Sequence, residues 1–168
     1  MPSYLSFPRA AVYTPETLPN EPTAPVAILT RDRVHEPLLQ QYALKFSDLL
    51  IVPEIWKEVI PQAAIMISSA ICGGEIKERF ISAAKERPCW LLVEKICHRF
   101  PLPCLDAIGQ SCDMPPIDGF YAASLCCHYS HGAVPSGEMV LWDTEDTIQK
   151  KIQLAKDAGF HGFVLPSL

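Results

Sequence analysis

Residues 63–94, AAIMISSAICGGEIKERFISAAKERPCWLLVE, carry the pattern that decides the fold. The apolar run at 63–70 predicts a strand, and so does CWLLVE at 89–94, because each run is short and bounded by turn residues. Between them, residues 73–87 place Ile76, Phe80 and Ala83 on one helical face. A strand, a helix and a second strand in this order are typical of a βαβ unit, whose two strands run parallel.

The same alternation extends in both directions along the chain. Further strands are predicted at 10–13, 26–30, 48–54, 120–128, 138–143 and 162–166. Helices are predicted at 36–47 and from a cap at Asp143 or Thr144 to a stop at Gly159, with a short helix or turn near 55–60 and a loop at 99–118. Short apolar strands that alternate with amphipathic helices predict an α/β fold with a mainly parallel sheet.

The length of the chain decides between the two forms that such a sheet takes. A closed (β/α)₈ barrel usually needs about 200 residues or more, and this chain has 168. We therefore predict a trimmed or incomplete TIM-like barrel, with an open doubly wound sheet as the alternative. Residues 1–25 hold six of the sixteen prolines, so we predict an extended N-terminal arm there and a single α/β domain at 26–168.

Composition excludes several classes of partner. The net charge is −5 and no basic stripe occurs, which argues against nucleic acid, since phosphate binding needs a positive surface. No apolar run approaches the roughly 20 residues that cross a bilayer, and the first residues lack an export signal. The cytoplasm is the expected location, and the seven cysteines are expected to be reduced. No phosphate-loop or dinucleotide motif occurs, so no cofactor is expected.

Polar side chains follow several of the predicted strands. Ligands bind at the carboxyl ends of parallel strands in both candidate architectures. We therefore predict Glu94 as a catalytic acid, with Asp143 and Glu54 as supporting carboxylates. The substrate-binding residues predicted at the same edge are Ser68, Ser69, His128 and Trp142.

Each of these residues also has a structural interpretation. Glu54 begins the segment that follows its strand, and Asp143 can cap the last helix. Glu94 can pair with Lys95 or Arg99 at the surface. Position at a strand end is an argument about location, so the sequence leaves both interpretations open.

Cysteine and histidine residues offer an alternative site. Zinc prefers thiolates and imidazoles in a tetrahedral array, usually with a close pair such as C-x₂-C. Here the candidate ligands are Cys97, Cys127, His128 and His131, and no such pair occurs among them. Cysteines buried as small apolar residues are the favoured interpretation, and a metal-dependent hydrolase is kept as the alternative.

The C-terminal stretch VLWDTEDTIQKKIQLAKDAGFHGFVLPSL, residues 140–168, resembles the closing strand, helix and strand of chitinase-like glycoside hydrolases. Asp143, Lys150 or Lys151, Gly159 and Gly162 match the Asp, Lys and Gly-x-x-Gly positions of that family. The family's D-x-x-D-x-D-x-E strand is absent, and CWLLVE keeps only a terminal glutamate. The resemblance implies a shortened barrel related to glycosidases, and the chain is also similar to bacterial proteins that have no function to transfer.

Three functions are carried forward from the sequence. The first is a glycosidase-like barrel that binds or hydrolyses carbohydrate or another small molecule. The second is the metal-dependent hydrolase. The third is a non-catalytic scaffold or interaction module, which would form a homo-oligomer through a sheet edge or the proline-rich arm.

Overall fold

The computed structural model describes residues 7–71, 75–101, 110–111, 120–124, 126–131 and 138–166. For 98–101, 110–111, 120, 127–131 and 138–139 the description covers the backbone alone. The strands in these ranges are β1 Arg9–Tyr13, β2 Val26–Ile28, β3 Leu50–Pro53, β4 Ala64–Ser68, β5 Cys89–Leu92, β6 Cys97–Pro101, β7 Gln110–Ser111, β8 Phe120–Ala122, β9 Cys127–His131, β10 Glu138–Trp142 and β11 Phe163–Val164. The helices are α1 Glu36–Phe46, α2 Ile76–Glu86 and α3 Glu145–Ala158, with 3₁₀ turns at Arg33–His35 and Glu54–Trp56.

Six strands form a closed barrel in the order β1, β11, β5, β4, β3 and β2, and β2 pairs with β1 to close it. Every pairing in the barrel is parallel. The predicted α/β fold with a trimmed TIM-like barrel is thereby confirmed, and the open sheet is not what forms. β1 lies within the segment predicted as an N-terminal arm, and the division of the chain at residue 25 stays a prediction.

Alternation along each strand separates the barrel interior from the layer that faces the helices. A small cluster drawn from all six strands fills the interior: Ala10, Ala27, Ile51, Met66, Trp90, Leu92 and Val164. Two alanines and one tryptophan in this set suit a narrow six-stranded barrel, because side chains must share a small cross-section. The intervening residues, such as Ile65 and Leu91, pack with Leu39, Phe80 and Ile152 of the helices.

α3 begins and ends as its sequence predicts. Thr144 is the N-cap: its hydroxyl accepts the Thr147 N–H, and the Thr147 hydroxyl accepts the Thr144 N–H. Gly159 ends the helix with φ of 99°, a left-handed conformation that favours glycine. Gly162 then leads into β11. The backbone there passes so close to the residue before β1 that a Cβ added at Gly162 would lie 2.2 Å from the Pro8 carbonyl oxygen.

A second sheet, in the order β7, β6, β10, β9 and β8, is antiparallel throughout. The strands predicted at 120–128 and 138–143 are therefore antiparallel and do not belong to the barrel. The loop predicted at 99–118 is wrong for 99–101 and 110–111, which lie in strands, and its other residues lie outside the described residues. β8 and β9 form a hairpin where one strand was predicted, and Cys126 takes φ of 51° at its turn. Nothing in the composition of that turn signals the reversal, because it contains no Gly, Asn or Pro.

The antiparallel sheet is an insertion within one connection of the barrel. β5 and β11 are neighbours in the barrel, but residues 93–162 lie between them and contain β6 to β10 followed by α3. This is a βαβ crossover enlarged by a sheet. Among the described residues, no helix is both long and apolar enough to cross a membrane.

Candidate functional site at the mouth of the barrel

A cavity of about 330 Å³ opens at the carboxyl ends of the barrel strands. Met66 and Leu92, from the interior cluster, form its apolar floor. Residues that end or follow β2, β3 and β4 line the cavity wall, and some of them place polar side chains above that floor. The lining residues are Arg31, Pro53, Glu54, Ile55, Met66, Ser68 and Leu92.

Ser68, Ser69 and Glu94 form a hydrogen-bonded cluster where β4 and β5 end. The Ser68 hydroxyl donates to Glu94 Oε1 at 2.7 Å. The Ser69 hydroxyl donates to the Glu94 carbonyl oxygen at 2.7 Å and accepts the Glu94 N–H at 2.8 Å. Neighbouring parallel strands bring these residues together, and the roles predicted for them in catalysis and substrate binding stay predictions. The cluster fixes the Glu94 carboxylate beside a residue that lines the cavity.

Glu54 also lies on the cavity wall, directly after β3. It begins a 3₁₀ turn, and its carboxylate forms an ion pair with Arg79 of α2. Both side chains of this pair are partly exposed, at 38% for Glu54 and 47% for Arg79. An exposed ion pair adds little to stability, so the Glu54 carboxylate remains accessible to a ligand.

The Asp143 carboxylate, by contrast, is fully buried and already bound. Lys151 Nζ lies 2.9 Å from each carboxylate oxygen. The Thr147 hydroxyl donates to Oδ1 at 2.8 Å, and the Ile96 N–H donates to Oδ2 at 3.0 Å. The Asp143 N–H also donates to the Ile96 carbonyl oxygen at 2.8 Å. A carboxylate with this many donors and no exposure connects α3 to the segment after β5.

Trp142 and His128 lie opposite each other in the register of β10 and β9. The predictions that His128 and Asp143 follow parallel strands of the barrel are wrong, since both strands belong to the antiparallel sheet. Trp142 is 6% exposed, which leaves little of the indole face for a sugar ring. Binding roles for Trp142 and His128, whose side chain lies outside the description, stay predictions.

The metal alternative rests on side chains that the structure does not describe. No group of three or more His, Cys, Asp or Glu able to hold a metal occurs among the described residues. Of the four predicted ligands, Cys97 is described as a partly buried cysteine. Cys127, His128 and His131 are described by backbone alone, and the metal site stays a prediction.

Arg31 is the residue that sequence reasoning missed. It follows β2 by three positions and lines the cavity together with Glu54 and Ser68. The rule that selected Glu54 and Ser68, namely position after a parallel strand, applies equally to the strand at 26–30. The cavity wall therefore carries one guanidinium, one carboxylate and a serine hydroxyl over an apolar floor, and the Glu94 carboxylate is hydrogen-bonded to that serine.

No protein-family model matches this chain, and no curated protein matches it. Among solved structures, the spore cortex-lytic enzyme SleL of Bacillus cereus is similar to it, with a TM-score of 0.49 and 13% sequence identity. The match covers 83% of this chain and 44% of SleL, so the chain spans less than half the length of that enzyme. A likeness at this level carries no conclusion about the site.

Proposed function

We propose that the mouth of the barrel binds a single sugar unit, with Glu94 as the main hydrogen-bond acceptor. The observation that carries the proposal is the Ser68–Glu94 hydrogen bond beside a cavity of about 330 Å³. Small-molecule pockets range from about 300 to 1,000 Å³. The volume of this cavity lies at the lower end of that range, which suits a monosaccharide.

The chemistry of the wall and floor supports a polyhydroxylated ligand. Each carboxylate presents about four acceptor positions, and a serine hydroxyl donates and accepts. Sugar hydroxyls have the complementary capacity, while the C–H face of a sugar ring is apolar and matches the Met66 and Leu92 side chains. Burial of the floor residues keeps water from one side of the ligand and strengthens the hydrogen bonds above it.

The same proposal assigns roles for hydrolysis. Glycosidases use two carboxyl groups, about 5 to 10 Å apart across the scissile bond. Glu94 is our candidate for the acid, and Glu54 is our candidate for the second carboxylate because it lines the cavity. Asp143 is the weaker choice for that role, since Lys151, Thr147 and Ile96 occupy its oxygens.

Binding of a monosaccharide and disaccharide panel tests the proposal. We expect wild type to bind at least one member and Glu94→Gln to bind it about 10- to 100-fold more weakly, because a hydrogen bond to a charged group contributes about 1.5 to 3 kcal/mol. Glutamine keeps an oxygen that can accept from Ser68, so the fold should persist. Glu86→Gln is the matched control, since Glu86 ends α2 near the start of β5 and is exposed in an ion pair with Lys57.

Two results would contradict the proposal. One is a wild-type protein that binds no sugar in the panel. The other is equal binding by the Glu94 and Glu86 variants. Release of nitrophenol from nitrophenyl glycosides tests hydrolysis separately, and there Glu94→Gln and Glu54→Gln should each abolish any turnover.

A further inference from the structure

The Arg31 guanidinium has no partner among the described residues, although it lines the cavity. Two other arginines of the barrel show the contrast. Arg79 pairs with Glu54. Arg87 donates to the carbonyl oxygens of Lys57, Ile60 and Ala63. Arg31 thus presents five N–H donors to the cavity and its rim without an acceptor from the described protein.

The neighbouring carboxylates explain why Arg31 stays unpaired. Glu54 lines the same cavity, but Arg79 already binds its carboxylate. Glu94 is held toward β4 by the Ser68 hydroxyl. Glu54 and Glu94 each have a protein partner, and Arg31 is the charged side chain lining the cavity that has none among the described residues.

We propose that Arg31 binds a carboxylate of the ligand, so that the sugar is a uronic acid. This inference rests on the proposed sugar-binding function. A guanidinium is planar and matches a carboxylate with two parallel hydrogen bonds. A single negative charge also suits the mouth, because Glu54 and Glu94 would repel a phosphate dianion more strongly than a carboxylate.

The position of Arg31 determines the orientation that we propose for the bound ligand. Ile55 and Arg31 line both the cavity and a shallow depression beside it, which Arg33, Trp56 and Val59 complete. The Trp56 indole N–H donates to the Thr30 carbonyl oxygen at 2.7 Å, which fixes the backbone just before Arg31. The sugar ring lies over Met66 and Leu92, and its carboxylate points outward to Arg31.

Calorimetric titration with matched sugar pairs tests this inference. The probes are glucose against glucuronate and galactose against galacturonate, with glucose 6-phosphate as a dianion. We expect wild type to bind one uronate at least 10-fold more tightly than its neutral sugar. Arg31→Gln should weaken that uronate at least 10-fold and leave the neutral sugar within about two-fold. Arg9→Gln is the control, since Arg9 is exposed and lines neither the cavity nor the depression beside it, and it should change neither.

The outcomes separate this inference from the function on which it rests. Equal affinity for both members of each pair overturns the uronate assignment and leaves sugar binding intact. Glucose 6-phosphate binding as tightly as glucuronate overturns the carboxylate assignment. Failure of all five probes to bind overturns both proposals. Arg31 is exposed, so circular dichroism of Arg31→Gln should match wild type and any loss of binding is local.

Discussion

The parallel barrel and the antiparallel sheet are built from similar short apolar strands, yet their strands run in different ways. In the barrel, β2 and β3 are joined through α1, and β4 and β5 through α2. In the sheet, only four residues of the sequence separate β8 from β9. A helix between strands returns the chain to its starting end, whereas a tight turn reverses it. The length of the connection, and not the strand pattern, determines the direction.

The two regions also differ in whether their strand ends meet at one edge. The barrel directs the carboxyl ends of all its strands to one edge, which gives a mouth lined by Arg31, Glu54 and Ser68. The sheet has no such shared edge. One of its described links to the barrel is a buried polar network at Asp143, which connects β10, α3 and Ile96. Another is the Ile76 N–H of α2, which donates to the Ser124 carbonyl oxygen in the β8–β9 turn.

Substitution of Lys151 should lower the free energy of unfolding most, because it disrupts the buried polar network at Asp143. Lys151→Met leaves the Asp143 carboxylate buried without its countercharge, which costs about 3 to 5 kcal/mol. Chemical unfolding measures the change. Lys150→Met is the matched control, since Lys150 is 48% exposed in an i,i+4 pair with Asp146, and it should cost under about 1 kcal/mol. A Lys151 variant as stable as the control would mean that the network does not hold the regions together.

Gly162→Ala tests how closely the chain closes the barrel. Its Cβ would lie 2.2 Å from the Pro8 carbonyl oxygen and 2.5 Å from a Trp90 ring carbon. Backbone must move to relieve this, at about 2 to 3 kcal/mol. Gly159→Ala, with φ of 99° and open space around it, should cost about 1 kcal/mol. The order of the two melting temperatures checks the prediction, and the reverse order would contradict the close approach.

Ser68→Ala probes the mouth with a smaller change. It removes the donor to Glu94 and the acceptor of the Ala70 N–H, which should lower the free energy of unfolding by about 1 kcal/mol. Ser82→Ala, on the exposed face of α2, should be neutral or slightly stabilising because alanine favours helix. Equal effects from the two serine substitutions would show that the cluster does not order the mouth.

The last effect is a pH dependence from the barrel, which is absent at neutral pH and appears only in alkaline solution. Burial raises the pKa of the Cys89 thiol from 9.0 to about 11, and the Glu54 carboxylate adds to the rise. As pH increases through this interval, the unfolded chain loses a proton that the folded chain keeps, so stability falls. Cys89→Ala should therefore lose less stability than wild type between about pH 9 and 11. Parallel curves over that range would contradict the assignment.

The barrel could be predicted from the sequence because the patterns that specify its strands and helix ends lie within short stretches of the chain. α3 has a cap at Thr144 and a stop at Gly159, and both are as predicted. The Ser68–Glu94 contact follows from adjacent parallel strands, but the bond itself needs coordinates.

What the sequence did not predict depends on contacts between distant residues. The turn at Cys126 has a positive φ that its composition does not signal. Lys151 is fully buried, and sequence gives a lysine no reason to be buried until its partner is known. These two residues belong to the inserted region or the helix after it, where long-range packing determines the structure.

The insertion leaves the barrel and returns to it at almost the same point. Ile96 and Asp143 exchange two hydrogen bonds, at 2.8 and 3.0 Å, and strands β6 to β10 lie between them in the sequence. A segment whose ends meet can be lengthened, shortened or replaced while the flanking strands keep their positions. The sheet is in this sense an exchangeable module, and grafting a different hairpin between residues 96 and 143 offers a way to vary the insertion without redesigning the barrel.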